Sequence, residues 1–293
     1  MVAPLKLRTL LSATPRSMAL RNGEVNSPLF ELDIDPVEPV TDGFPAMVRD
    51  VSYDFGELAL ATFLQAREAG VPLLLLPAVL VGQFLHDTIV YNAERGDISV
   101  DGLEGKRVGI RSYTQTTGAW MRGILEEQYG VDIARVQWVC FQDPHVISYA
   151  EPSFVERPPP PKTLLGMLLD GEIDAAIGVG PQAANYPQLR TVIRDPKADA
   201  LAWRAKTGAV PINHMAVVKA SLYESRPDVV VALFDALARS KAAANEAVDL
   251  TPFGLEANRK SLDILIRYAA RQQLIPHAYP ADELFLPALS RLG

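Results

Sequence analysis

Apolar and polar positions along the chain follow two periods. Short runs rich in Leu, Val and Ile read as strands at Leu5 to Ser12, Phe30 to Ile34, Val37 to Val40, Val71 to Val81 and His86 to Tyr91. Further runs of the same kind lie at Arg107 to Ile110, Arg135 to Phe141, Ile173 to Ile177 and Ile212 to Val218. Between them a three- and four-residue step predicts helices over Pro15–Glu24, Asp54–Ala69, Gly118–Tyr129 and Lys162–Leu169. Two long helices follow, Arg226–Ala247 with Val229, Val230, Leu233 and Leu237 on one face, and Glu256–Gln273 with Leu262, Leu265, Ile266 and Ala269. Gly70, Gly130 and Gly171 stand where helices should stop. Strand and helix alternate, which predicts an α/β fold with largely parallel sheets.

Composition narrows the class. At 293 residues the chain is long enough for one large domain or two lobes, and 48% apolar against 22% charged residues suits a globular core. Acidic residues exceed Lys and Arg by 35 to 28, a net charge of −7. That argues against general attraction to nucleic acid. The single cysteine, Cys140, removes intramolecular disulfides and cysteine-based zinc sites, and in the strand-like Trp138–Phe141 it reads as a buried structural thiol. The longest apolar run, Val71 to Val81, is broken by Pro72 and Pro77 and is far short of the ~20 residues that span a bilayer. The N-terminal stretch carries no continuous apolar segment with a small-residue cleavage site, so a cytoplasmic protein without a membrane partner is expected. Gly178-Val179-Gly180 lacks the third glycine and helix start of a dinucleotide site. No His-Glu-x-x-His, paired-cysteine or nucleophile-elbow motif is present, so neither cofactor nor metal is expected.

Particular segments go further. "LEGKRVGI" at Leu103–Ile110, followed by a Thr-rich turn and a helix, and "LLDGEIDAAI" at Leu168–Ile177 resemble type II periplasmic-binding-protein folds. Within that superfamily, "FLHDTIVY" at Phe84–Tyr91, "GIRSYTQTTGAWMRGILEEQYG" at Gly109–Gly130 and "TGAVPINH" at Thr207–His214 resemble the 4,5-dihydroxyphthalate decarboxylase family. The weaker "RSMALRNG" at Arg16–Gly23 fits the same pattern, and the resemblance runs from about Leu5 to Val248. The chain departs from it at Leu85, where the family usually carries Arg, and at Arg111–Thr114, which replaces a more acidic turn. The resemblance implies two lobes with a ligand cleft between them: residues 1–91 and 216–293 in the first, 92–215 inserted as the second. Ligand is then expected at the carboxyl ends of the strands.

Candidate chemistry falls into two sets. The loop Arg111 to Thr117 joins a strand to a helix, so free helix-start amides, the Thr116 and Thr117 hydroxyls and the Arg111 guanidinium could bind a carboxylate. Thr117 could equally serve as a helix cap. Tyr113 of the same loop joins the binding set; Arg122, ordinarily a solvated helix residue, is added by the resemblance through its "RGIL" setting, and Arg16 either points into the cleft or sits on the surface. His86 and His214 stand at the two expected lobe crossings, and Glu57, in the first turn of the Asp54–Ala69 helix, is a further candidate acid or base, with Asp54 as that helix's N-cap. His145 and His277, in proline-flanked loops, read as exposed and without a role.

Two functions are compatible with this. The resemblance implies cofactor-free decarboxylation of a small aromatic carboxylate, 4,5-dihydroxyphthalate going to protocatechuate and CO₂, with His86, His214 and Glu57 catalytic. The alternative is a solute-binding receptor for a transporter or a cytoplasmic ligand sensor of the same fold; the receptor would be expected to carry an export signal, and none is recognised in the sequence. A homo-oligomer stays open in either case.

Overall fold

The structure, a computed structural model, describes residues 3–293. Two five-stranded sheets organise the chain. The first contains Leu5–Leu10 (β1), Phe30–Ile34 (β2), Phe55–Ala59 (β3) and Leu73–Gly82 (β4). The second contains Ile89–Asn92 (β5), Arg107–Ile110 (β6), Gln137–Cys140 (β7), Ala175–Ile177 (β8) and Leu189–Thr191 (β9). Ile212–Lys219 (β10) then returns to the first sheet, giving orders β2-β1-β3-β10-β4 and β7-β6-β8-β5-β9. In each sheet the strand that arrives from the other lobe, β10 or β5, is antiparallel to both neighbours. This is the two-lobed α/β architecture expected, but four of the eight strand pairings are antiparallel, so the sheets are mixed rather than largely parallel. The chain changes sheet between Gly82 and Ile89 and again between Thr191 and Ile212, so boundaries drawn at 91/92 and 215/216 fall inside β5 and β10.

Helices cover both sheets: Pro15–Arg21 (α1), Phe44–Arg49 (α2), Leu60–Glu68 (α3), Thr116–Tyr129 (α4), Leu164–Asp170 (α5) and Pro196–Thr207 (α6). Ala220–Ser225 (α7), Pro227–Ala243 (α8) and Leu255–Arg271 (α9) complete them. The faces expected of the two long helices are the buried ones. Val229, Val230, Leu233 and Leu237 of α8 join Leu7, Leu76 and Val218 in a core beneath the first sheet. α9 does otherwise than a simple return to the first lobe: it packs on α4 and α3, with the Tyr268 ring pressed against Gly123 so closely that any Cβ there would collide. Cys140 is buried, and burial pushes its thiol up to about 12, as a structural thiol requires.

Two expectations fail for physical reasons. The helix anticipated over 54–69 is β3 followed by α3. Phe55, Leu58, Ala59, Thr62 and Phe63 do recur at helical spacing, but all five residues of β3 are buried, flanked by β1 and β10. A strand covered on both sides needs no alternation, so periodicity cannot separate it from helix. Gly56 admits the close approach of the Leu10 carbonyl. The strand anticipated at 37–40 is instead irregular chain with a bend at Glu38 and Pro39, leading to a 3₁₀ turn, Val40–Gly43, and then α2.

Candidate active site

The carboxyl ends of β3, β6 and β8 and the start of β10 converge on a cavity of about 460 Å³ between the lobes. Its first-lobe wall carries Phe44, Ala59, Thr62, Asn213 and His214; its second-lobe wall carries Arg111 to Thr117, apart from Tyr113, and Gly178 to Gly180. Open α/β sheets bind ligands at this position because the strands end there while helices begin with free amides.

His214 and Glu57 come together through sheet register. His214 lies opposite Ala59, and Glu57 opposite Ala216, so the two are diagonal neighbours on one face. His214 Nδ1 is 3.1 Å from Glu57 Oε1, and Ser12 donates to Glu57 Oε2 from its hydroxyl at 2.7 Å and its amide at 3.3 Å. Glu57 is 1% exposed. Burial alone would raise its pKa, but the hydrogen bond and charge of His214 and the two Ser12 hydrogen bonds outweigh this and hold the carboxyl below its ordinary value. Glu57 therefore sits on a central strand, behind His214, rather than in a helix turn. Asp54, expected to cap that helix, instead accepts from the Arg8 amide at 2.9 Å.

The opposite wall is a loop feeding α4. Thr116 is already the first helical residue, with Gln115 as the N-cap, so Thr117 is not the cap. Thr116 Oγ1 accepts from the Ala61 amide at 3.0 Å, joining the first turns of α4 and α3 across the cleft. Thr117 Oγ1 accepts from Asn213 Nδ2 at 3.1 Å, which leaves both threonine hydroxyl protons free to donate. Arg111 is the one Arg or Lys among the lining residues. Its Nε is buried without a partner, and desolvation lowers its pKa while the nearby Asp42 opposes that. Gln115 Oε1 and Asn213 Oδ1 are likewise buried and unpaired among the described residues.

The remaining candidates lie elsewhere. His86 is 1% exposed and points away from the cavity that its neighbours Asp87 and Thr88 line. Its Nε2 meets Gln128 Oε1 at 2.9 Å and its ring lies edge-on to Trp203, so it is packed at the lobe crossing, where desolvation lowers its pKa. Arg122 is fully buried because α9 covers the side of α4 that would otherwise face solvent. Its Nε donates to Gln272 Oε1 and its Nη2 to the Tyr113 carbonyl, both at 2.7 Å, and its guanidinium lies 4.1 Å over the Tyr113 ring. Tyr113 is thus a support behind the loop, 2% exposed and outside the lining set. Arg16 donates to Glu246 at 2.7 Å and to the Leu80 carbonyl at 3.2 Å, also outside the lining set.

One lining residue gave no signal in the sequence. His145 was expected to be exposed, yet it faces the cavity. Arg49 of α2 donates to the carbonyls of Pro144 and His145 at 3.0 and 2.8 Å and draws the loop inward. Among the described residues no group of three or more His, Cys, Asp or Glu side chains is gathered as a metal-ligand set, and no helix is long and apolar enough to cross a membrane.

No family model matches the chain. Over 255 residues, 80% of this chain and 77% of the relative, it is 33% identical to 4,5-dihydroxyphthalate decarboxylase of Comamonas testosteroni. It is 32% identical over 192 residues to 4,5-dihydroxyphthalate decarboxylase of Pseudomonas putida, covering 59% of this chain and 74% of that one. Among solved structures, the alkanesulfonate-binding protein SsuA of Xanthomonas axonopodis pv. citri, bound to MOPS, superposes with a TM-score of 0.63 at 12% identity, covering 98% of this chain and 99% of that one. The desulfurization enzyme DSZB gives 0.60 at 13% identity, over 98% and 97% of the two chains. These structural likenesses show the periplasmic-binding-protein-like fold, which serves a binding protein in one case and an enzyme in the other, so fold alone does not choose between them.

Proposed function

The chain belongs to the 4,5-dihydroxyphthalate decarboxylase family, and from that premise we propose that it is a carboxy-lyase for a hydroxylated aromatic carboxylate, converting 4,5-dihydroxyphthalate or a close analogue to protocatechuate and CO₂. The observation that carries the reading is the pairing of an unpartnered Arg111 on one wall of the cavity with a carboxylate-backed His214 on the other. Arg111, the Thr116 and Thr117 hydroxyls and the free amides of the first turn of α4 take the carboxylate that is retained. The carboxylate that leaves is directed toward Phe44 and Ala59 on the first-lobe wall, where few hydrogen bonds hold its charge.

Loss of CO₂ needs a proton at the ring carbon that bears the leaving group. Glu57 holds His214 through Nδ1, so the other ring nitrogen, Nε2, is the one free to deliver that proton. The C–C bond then breaks, its electron pair returns to the ring and CO₂ departs; His214 regains its proton from water. His86, Arg122, Tyr113 and Arg16 have no part in these steps. The test is direct: purified protein is mixed with 4,5-dihydroxyphthalate and protocatechuate is followed by chromatography. Turnover that falls at least ~100-fold in His214→Asn supports the assignment. A wild-type protein without turnover overturns the decarboxylase reading.

A further inference from the structure

The cavity holds a second histidine that the proton delivery above leaves unused. His145 reaches it from a loop of the second lobe, and every element around it contributes to its setting. Thr62 of α3 contacts Nδ1 at 3.0 Å. Phe44 of α2 lies edge-on between the two histidines, 5.9 Å from the His145 ring and 5.1 Å from the His214 ring, centroid to centroid. The charged groups near His145 are Arg49 of α2, Arg111 of the second-lobe loop and His214 of β10; Asp42 lies beside Arg111, and Asp87 is exposed on the cavity wall. His214 is backed by a buried carboxylate, whereas His145 is backed by a hydroxyl and flanked by guanidinium groups. Paired titratable groups in opposed environments divide into acid and base.

We propose that His145 is a catalytic base for the same reaction, accepting the proton of the ring hydroxyl para to the departing carboxylate while His214 protonates the ring. This rests on the decarboxylase reading. In the tautomer in which Nδ1–H donates to the Thr62 hydroxyl, Nε2 carries no hydrogen and is the acceptor. Burial first, then Arg111, Arg49 and His214, lower the His145 pKa to about 4, so the ring is neutral at neutral pH but a weak base while those cations stand unopposed. A bound dianion next to it opposes those cations and strengthens the base at the moment it is needed. The steps balance. The phenolic O–H bond breaks toward His145 and its electron pair enters the ring. The ring carbon forms its C–H bond with the proton from His214, the C–C bond to the carboxylate breaks and its pair restores aromaticity. His145 then returns its proton to the phenolate oxygen.

The experiment compares turnover of 4,5-dihydroxyphthalate by wild type, His145→Gln, His145→Ala and Thr62→Val, with melting temperature measured for each. His145→Gln should lower kcat by at least ~100-fold with KM changed less than about threefold. His145→Ala should recover activity when free imidazole is added, which a structural role would not permit, and Thr62→Val should lose about tenfold in kcat through positioning alone. Active wild type with His145→Gln within threefold of it overturns this inference and leaves the decarboxylase intact. So does a folded His145→Ala that imidazole does not restore. Inactive wild type overturns the decarboxylase reading and this inference with it.

Discussion

The two walls of the cavity are built on opposite principles. On the first-lobe wall the Glu57–His214 pair is satisfied before any ligand arrives, although Asn213 Oδ1 is buried without a partner among the described residues: Glu57 accepts from Ser12 twice and meets His214, all on or beside adjacent strands. On the second-lobe wall Arg111 Nε and Gln115 Oε1 are buried with no partner, on a loop. A buried unpaired polar group costs about 1–3 kcal/mol, and more when charged. The strand wall therefore contributes to folding as well as to chemistry, while the loop wall costs folding energy that an anionic ligand would return. Stability and recognition are separable by residue.

The largest effect should come from the strand wall. Glu57→Ala leaves Ser12 and His214 without their acceptor inside the protein. We expect it to lower stability to urea by about 3–5 kcal/mol and kcat by about 10³. A loss of kcat with unchanged stability would break the contrast. The same carboxyl has a definite pH signature. Its folded pKa lies below the ordinary value of 4.5, so its contribution to stability is complete above that value and disappears as pH falls through the folded pKa.

Arg111→Gln should act in the reverse sense. It removes the cation that would hold the retained carboxylate, and KM should rise about 100-fold, equivalent to about 2.7 kcal/mol. Melting temperature should stay level or rise, since an unpaired, largely desolvated charge is removed. Thr117→Val should be milder. It deletes one ligand donor and the acceptor of Asn213, weakening binding about three- to tenfold with little change in kcat.

How much of this could be read beforehand follows from the range of the interactions involved. That the loop from Arg111 to Thr117 borders the cavity was legible because strand, threonines and helix start are contiguous in the chain. His214 was legible from its place in the returning strand. Glu57 was recognised, but in the wrong element, because β3 is buried on every side and runs directly into α3. Arg122 was misjudged because the helix that buries α4 begins at Leu255, far along the chain, and only Gly123 hints at a close neighbour. His145 was missed altogether. No local pattern marks it, and what turns it inward is Arg49, 96 residues earlier, holding its carbonyl.

The smallest effect sharpens the comparison most. His145 has a folded pKa of about 4 against an ordinary 6.5, so the unfolded chain binds its proton first as pH falls. Stability should therefore decline from pH 6.5 toward 4 on account of this group, the window lying above that of Glu57. Because burial is the leading cause and Arg111 the next, Arg111→Gln should move the His145 titration upward by less than about one unit, with burial still holding it below 6.5. NMR titration of the histidine ring protons in wild type and Arg111→Gln reads this directly. An unmoved His145 would mean that the loop wall does not act electrostatically on it, and that its neutrality comes from burial alone. A shift of the expected size would tie the loop wall to the protonation state of the histidine it faces.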